Sequence, residues 1–154
     1  MATLKAPRQQ SGVAAVELAF VLVLLLLMAA GTFEFGRAFW YYNALAKATR
    51  DGARAVSMVP AASIGSAAVA AQTLVVDVAN GANLHPALVV ANVEVTCDGV
   101  ACVDGTAPAN VRVGITGYSI DIGGMFPFFN PRTYDPRTIS GVSLAPHTTM
   151  RYMD

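Results

Sequence analysis

From Leu18 to Ala30 the chain reads LAFVLVLLLLMAA, thirteen residues without a polar side-chain atom. Nothing else in the sequence limits its folding so strongly. Extended to Val13 and Phe33, the run is interrupted only by Glu17, Gly31 and Thr32. A helix needs about 20 mostly apolar residues to cross a hydrocarbon core, so the stretch 13–33 suffices for one transmembrane pass. Lys5 and Arg8 precede it, and no acid occurs before Glu17. That bias places the N-terminus on the cytoplasmic side. On the other flank stand Phe33, Phe35, Phe39, Trp40, Tyr41 and Tyr42. Trp and Tyr favour the membrane–water boundary, so the helix is expected to leave the bilayer there.

Composition agrees. Charged residues are 13% of the 154, and ten acids balance ten bases. Disorder, which needs low hydrophobicity and high net charge, is excluded. Zero net charge without a Lys/Arg cluster gives no footprint for nucleic acid.

The helical pattern continues beyond the bilayer. Asn43 to Ser57 has no Pro, one Gly, and many Ala, Leu, Lys and Arg residues. Val59-Pro60 ends it, because a residue before proline avoids the α region. One helix over 13–57 is therefore expected, its lower part in lipid and its upper part in water. A second, shorter helix is expected over 63–80, with Val69, Leu74, Val75 and Val78 on its apolar face and Asn80-Gly81 as its stop. Strands are expected at 91–96, 111–120 and 148–152, with Val111, Val113 and Ile115 facing one way and Arg112, Gly114 and Thr116 the other. Residues 123–136, with MFPFFNP at 125–131, read as an aromatic loop, either a lid on the core or a contact surface. The fold class is α+β: a long N-terminal helix, a short helix and a small antiparallel sheet, with a head over 58–154.

The residues around the start of the apolar run carry a family pattern. Gly12 is followed by Val16-Glu17-Leu18-Ala19, then the Leu-rich run, Glu34-Phe35-Gly36-Arg37-Ala38, and Arg50-Asp51-Gly52-Ala53-Arg54. The stretch 8–57 resembles the TadE-like pseudopilins of tight-adherence (Flp-type) pili, relatives of type IV pilins. Leu18 stands where many members have Phe, a small departure. Family character is weaker beyond residue 57, limited to a strand near Thr149-Met150-Arg151.

The resemblance implies that 1–12 is a leader removed by a prepilin peptidase, an inner-membrane aspartic enzyme cutting between Gly12 and Val13 on the cytoplasmic side. Glu17 then becomes the fifth mature residue. The family further implies a structural role in pilus assembly, with other pilins, an inner-membrane assembly platform and the lipid bilayer as partners, and a periplasmic head. An acid at membrane depth is costly. Val13 and Glu17 share a helix face four residues apart, so a new α-amino group on Val13 could pair with the Glu17 carboxylate, within one chain or with a neighbour. A Glu17 lying simply at headgroup level is the alternative.

Two other readings of the segment stay open. An ordinary secretory signal would use Ala29-Ala30-Gly31 as its cleavage site. A single-pass assembly factor would keep its N-terminus.

Cys97 and Cys102 enclose Asp98-Gly99, a strong turn signal. Two strands folding back there would join the thiols, giving a structural disulfide in an oxidising compartment. Zinc is not expected, since His85 and His147 are distant and add no four-ligand pattern. No cofactor and no catalysis are expected. Ser119 and Ser143 each follow a Gly by two but lack the second Gly of a nucleophile elbow. Asp77, Glu94, Asp98, Asp104, Asp121 and Asp135 read as turn and surface acids. The charges at Glu34, Arg37, Lys47, Arg50, Asp51 and Arg54 are either a docking face or a solvated helix face, with Lys47–Asp51 and Asp51–Arg54 at pairing distance in sequence.

Overall fold

The computed structural model describes residues 11–122 and 139–153. Residues 1–10, expected to belong to a leader, and the whole aromatic stretch 123–136, Asp135 included, fall outside them. Helix α1 runs unbroken from Ser11 to Ser57, 47 residues. At 1.5 Å per residue it is about 70 Å long. Helix formers outweigh Gly31, Gly36 and Gly52 throughout, and the run stops just before Val59-Pro60. Its two halves live differently. From Val13 to Met28 every large apolar side chain is exposed, between 38% and 74%. From Tyr41 onward, one face is buried: Tyr41, Leu45, Ala48, Thr49, Ala53, Val56 and Ser57. The upper half is thus clothed by protein on one side rather than standing wholly in water.

A 3-10 turn at Ala61–Ser63 leads into α2, Ile64–Asn80, which returns antiparallel to α1. Its inner face is Ile64, Ala68, Ala71, Val75 and Ala79. The apolar face expected from Val69, Leu74, Val75 and Val78 is therefore wrong in part: Val69 is 65% and Leu74 39% exposed. Proximity explains the exchange. A Cβ built on Gly52 of α1 would lie 2.5 Å from Val75 Cγ2 of α2, so the helices meet too closely for large side chains along the seam. Ala68, Ala71 and Ala79 fill most of it, with Val75 seated on Gly52. Ser63 offers no side-chain cap to α2. Asp104, far along the chain, takes that role: its Oδ1 accepts from Gly65 N at 2.6 Å and Ser66 N at 3.4 Å.

Against the helix pair lies a four-stranded antiparallel sheet ordered β2-β1-β3-β6. The strands are β1 Val93–Cys97, β2 Val100–Ala101, β3 Asn110–Ile115 and β6 His147–Arg151. Val93, Cys97, Val111, Val113 and Ile115 form the buried face, pressed on Leu45, Ala53, Val56 and Val75. Period-two alternation puts these residues on one side. Outside, Arg112 and Thr116 are exposed as expected, but Gly114 is buried, its Cβ position 3.4 Å from His147 Cβ.

The strand expected over 111–120 is two strands in two sheets. Gly117, with φ +66°, turns the chain after Ile115. β4 Ser119–Ile122 then pairs with β5 Ile139–Ser143. Residues 91–92, expected to begin a strand, belong to a 3-10 turn, Val90–Asn92. Neither β2 nor β5 was legible, the first being two residues long and the second carrying Gly141 at φ +84°. The C-terminal segment closes on the top of α1. Tyr152 Oη donates to Val59 O at 2.7 Å and Met153 N to Ser57 O at 3.0 Å.

Candidate functional site

Gly12, Val13 and Glu17 sit on the first two turns of α1, exposed. A Cβ added at Gly12 would meet nothing within 4 Å. Glu17 therefore has its carboxylate outside any protein core, on a helix face it shares with Val13. This half of α1 is long and apolar enough to cross a membrane. α2 meets the same length and composition test, but its inner face is committed to α1 and the sheet.

Where the apolar half gives way to the packed half, Glu34 and Arg37 form a junction. Glu34 is only 2% exposed. Arg37 Nη2 donates to Glu34 Oε2 at 2.8 Å and to the backbone carbonyl of Asp121 at 2.7 Å. Its guanidinium also lies 5.7 Å from the centroid of the Tyr41 ring, within cation–π range. The two charges are thus internal fasteners between α1 and β4, not part of a free docking face. Nearby, Tyr118 Oη donates to Pro86 O at 2.8 Å, and burial pushes its hydroxyl up to about 12, so it stays a donor at any ordinary pH.

The second charged block behaves otherwise. Gly52 and Ala53 are buried at the α2 seam, while Arg50, Asp51 and Arg54 point outward. Among the described residues neither Lys47–Asp51 nor Asp51–Arg54 forms an ion pair; Arg50 Nε instead donates to Ala46 O at 3.2 Å. Among the described residues Lys47, Asp51 and Arg54 form no ion pair.

Cys97 and Cys102 are joined, S–S 2.04 Å, across the turn between β1 and β2. Asp98 and Gly99 take φ +52° and +86°, the left-handed pair that a two-residue hairpin turn requires. The Asp98 carboxylate accepts from Ala109 N at 2.8 Å and Asn110 N at 2.9 Å, fixing the turn to the start of β3. Double Cys97→Ser, Cys102→Ser replacement removes a short closed loop worth about 2 kcal/mol. The melting temperature of the full chain in detergent should fall by roughly 5 °C. An unchanged melting curve would mean the hairpin is held by Asp98 alone.

Among the described residues the scattered acids do not gather into a group of three or more. Asp98 and Asp104 accept backbone N–H groups as above, and Asp121 Oδ1 accepts from Gly141 N at 3.2 Å. No group of three or more His, Cys, Asp or Glu residues able to hold a metal occurs among the described residues. Long-range fasteners such as Asp104 on α2 and Asn80 on Leu88 left no sequence signal, since each needs a partner distant in the chain or off the helical repeat.

The conspicuous site is therefore α1 itself: exposed and apolar below, clamped by Glu34–Arg37 in the middle, glycine-packed above. Residues 12–54 match the TadE-like protein family. No curated protein and no solved structure matches the chain. The TadE-like segment begins at Gly12 and ends at Arg54, so it coincides with a single helix. It covers a little over a quarter of the 154 residues. Within it, Gly12 and Glu17 lie in the exposed half, Glu34 and Arg37 at the junction, and Gly52 at the α2 seam.

Proposed function

We propose that this protein is a minor pilin or pseudopilin of a tight-adherence pilus, a structural component without catalysis. The observation that carries the reading is the TadE-like match, which opens at Gly12 on a helix whose next sixteen residues are exposed and, Glu17 apart, apolar. Such a surface has no stable place in water, and lipid or neighbouring helices would cover it. In this reading a prepilin peptidase cuts between Gly12 and Val13 on the cytoplasmic side of the inner membrane. The chain then stands as a single-pass protein, its packed part in the periplasm, where Cys97 and Cys102 oxidise. Other pilins and an inner-membrane assembly platform are its partners. Unbroken helix through Ala29-Ala30-Gly31 and on into the core favours retention of the apolar segment over its removal as a secretory signal.

Glu17 supplies the test. Its role here is to neutralise the α-amino group that cleavage creates on Val13, in its own chain or a neighbour's. Glu17→Ala should insert and be cut normally, with mature protein starting at Val13 by mass. Co-purification with partner pilins should drop at least tenfold, and Glu17→Asp should recover part of it. Wild-type co-purification by Glu17→Ala would reduce Glu17 to an interfacial acid, and a mature start near Thr32 would overturn the pilin reading itself.

A further inference from the structure

We propose that the connection between α2 and β1, residues 81–92, is a second contact with the bilayer, with Val89 and Val90 resting on the headgroup layer beside the exit of α1. It rests on the membrane reading of α1 and goes beyond it. The first reason is height. From Trp40 to Ser57 α1 rises about 26 Å, and from Ile64 to Asn80 α2 descends about 24 Å. The chain therefore returns to the level it left. Two hydrogen bonds mark this: Trp40 Nε1 donates to Ala82 O and Tyr41 Oη to Asn83 O, both at 3.4 Å. Tyr41 is buried in the core, but Trp40 is exposed and among the boundary aromatics, so the connection is held at boundary depth.

The second reason is chemistry. Residues 81–92 read GANLHPALVVAN, without Asp, Glu, Lys or Arg. Leu84 and Leu88 turn inward, 3% and 1% exposed, while Val89 and Val90 are 54% and 46% exposed. At the same end of the molecule Phe39 and Trp40 are 67% and 63% exposed. Adjacent valines on a charge-free loop suit the acyl–headgroup boundary.

The third reason is that several of the loop's polar groups are already paired internally. Asn80 holds Leu88 by both amide atoms, at 2.9 and 2.8 Å. Asn92 N donates to Val89 O at 2.9 Å, Thr116 N to Asn92 O at 2.8 Å, and Asn92 Nδ2 to Thr116 O at 3.0 Å. Backbone groups that are already paired can approach hydrocarbon without losing water partners. The loop presents an apolar edge at Val89 and Val90.

The test uses the full chain in nanodiscs of phosphatidylethanolamine and phosphatidylglycerol, some lipids carrying a nitroxide near the glycerol end of the acyl chain. Val89→Cys, Val90→Cys and Val103→Cys each receive an environment-sensitive fluorophore. Val103 is exposed and neighbours Asp104, which caps the opposite end of α2. Quenching at 89 and 90 at least threefold stronger than at 103, with iodide protection, is the expected result. Equal quenching at all three positions would overturn the contact. Trp40, the one tryptophan of the chain, reports the membrane reading separately. A lipid-quenched Trp40 with unquenched 89 and 90 removes the loop contact alone, whereas an unquenched Trp40 removes both. Protection found only in native envelopes, and not in nanodiscs, would assign the valines to a protein partner and overturn the lipid contact. Amide exchange of the unsubstituted chain guards against misfolded variants: Val90 and Ala91 should exchange several-fold more slowly in nanodiscs than after release into detergent.

Discussion

Gly52→Leu is expected to be the most damaging single change in the packed part of the molecule. A Cβ alone would sit 2.5 Å from Val75 Cγ2 and 3.6 Å from Val113 Cγ1, with Ala71 O at 3.8 Å behind. Val75 is β-branched and fully buried, so it cannot turn aside. Helix α2 must shift, and the alanine seam with it. Overpacking of this kind costs about 3 kcal/mol. Against it, leaving glycine returns only about 1 kcal/mol of helix propensity. For the full chain in detergent the melting temperature should drop by roughly 5–10 °C. Gly36→Leu is the internal comparison. It lies on the same helix with nothing within 4 Å of its Cβ, and it should be neutral or slightly stabilising. Gly52→Ala should cost less than Gly52→Leu, and adding Val75→Ala to it should recover more than the two single changes sum to. A melting temperature unchanged by Gly52→Leu would mean that α1 and α2 do not approach as described.

Gly12→Leu should have the opposite profile, a large effect on processing and none on folding. Nothing within 4 Å would meet a side chain at position 12, so the substituted chain should insert and fold as before. A peptidase that must fit the residue before the cut against its own active site has no such room, under the pilin reading. Co-expression with a prepilin peptidase should leave the full-length precursor, with cleavage lowered at least tenfold and melting temperature unchanged. Normal shortening of Gly12→Leu would remove the peptidase from the account. Under the pilin reading the two glycines separate the two halves of α1: one matters for what touches the helix from outside, the other for what the helix touches within the chain.

How far the sequence carried can be judged from the same helix. A thirteen-residue apolar run and a Pro at position 60 define α1 to within two residues, because length, composition and a breaker are local properties. The Asp98-Gly99 turn and its flanking cysteines are equally readable, since Asp-Gly suits the type I′ hairpin turn, with positive φ at both central positions. What failed was whatever depended on distance between elements. Val69 and Leu74 look like core residues until the close approach at Gly52 turns Ala68, Ala71, Val75 and Ala79 inward instead. The run Val111 to Ile120 looks like one strand until Gly117 is seen to hand its second half to a different sheet. Glu34 and Arg37 read as surface charges because nothing local announces that Asp121 O will meet Arg37 across 84 residues. Likewise, the cleavage and assembly roles proposed for Gly12, Val13 and Glu17 come from family likeness.

One consequence of the unbroken α1 is mechanical. The rod that would sit in lipid is also the central beam of the core, carrying Leu45, Ala48, Ala53 and Val56 against the sheet and α2. Met153 and Tyr152 are bolted to its far end, and Arg37 ties β4 to its waist. No hinge separates anchor from cargo. A pull on the membrane segment is therefore transmitted straight into the packed core, and lifting the chain out of the bilayer would move the whole body as one piece. A linker would let the two ends yield independently; a continuous helix makes displacement at one end a displacement of everything attached to the other.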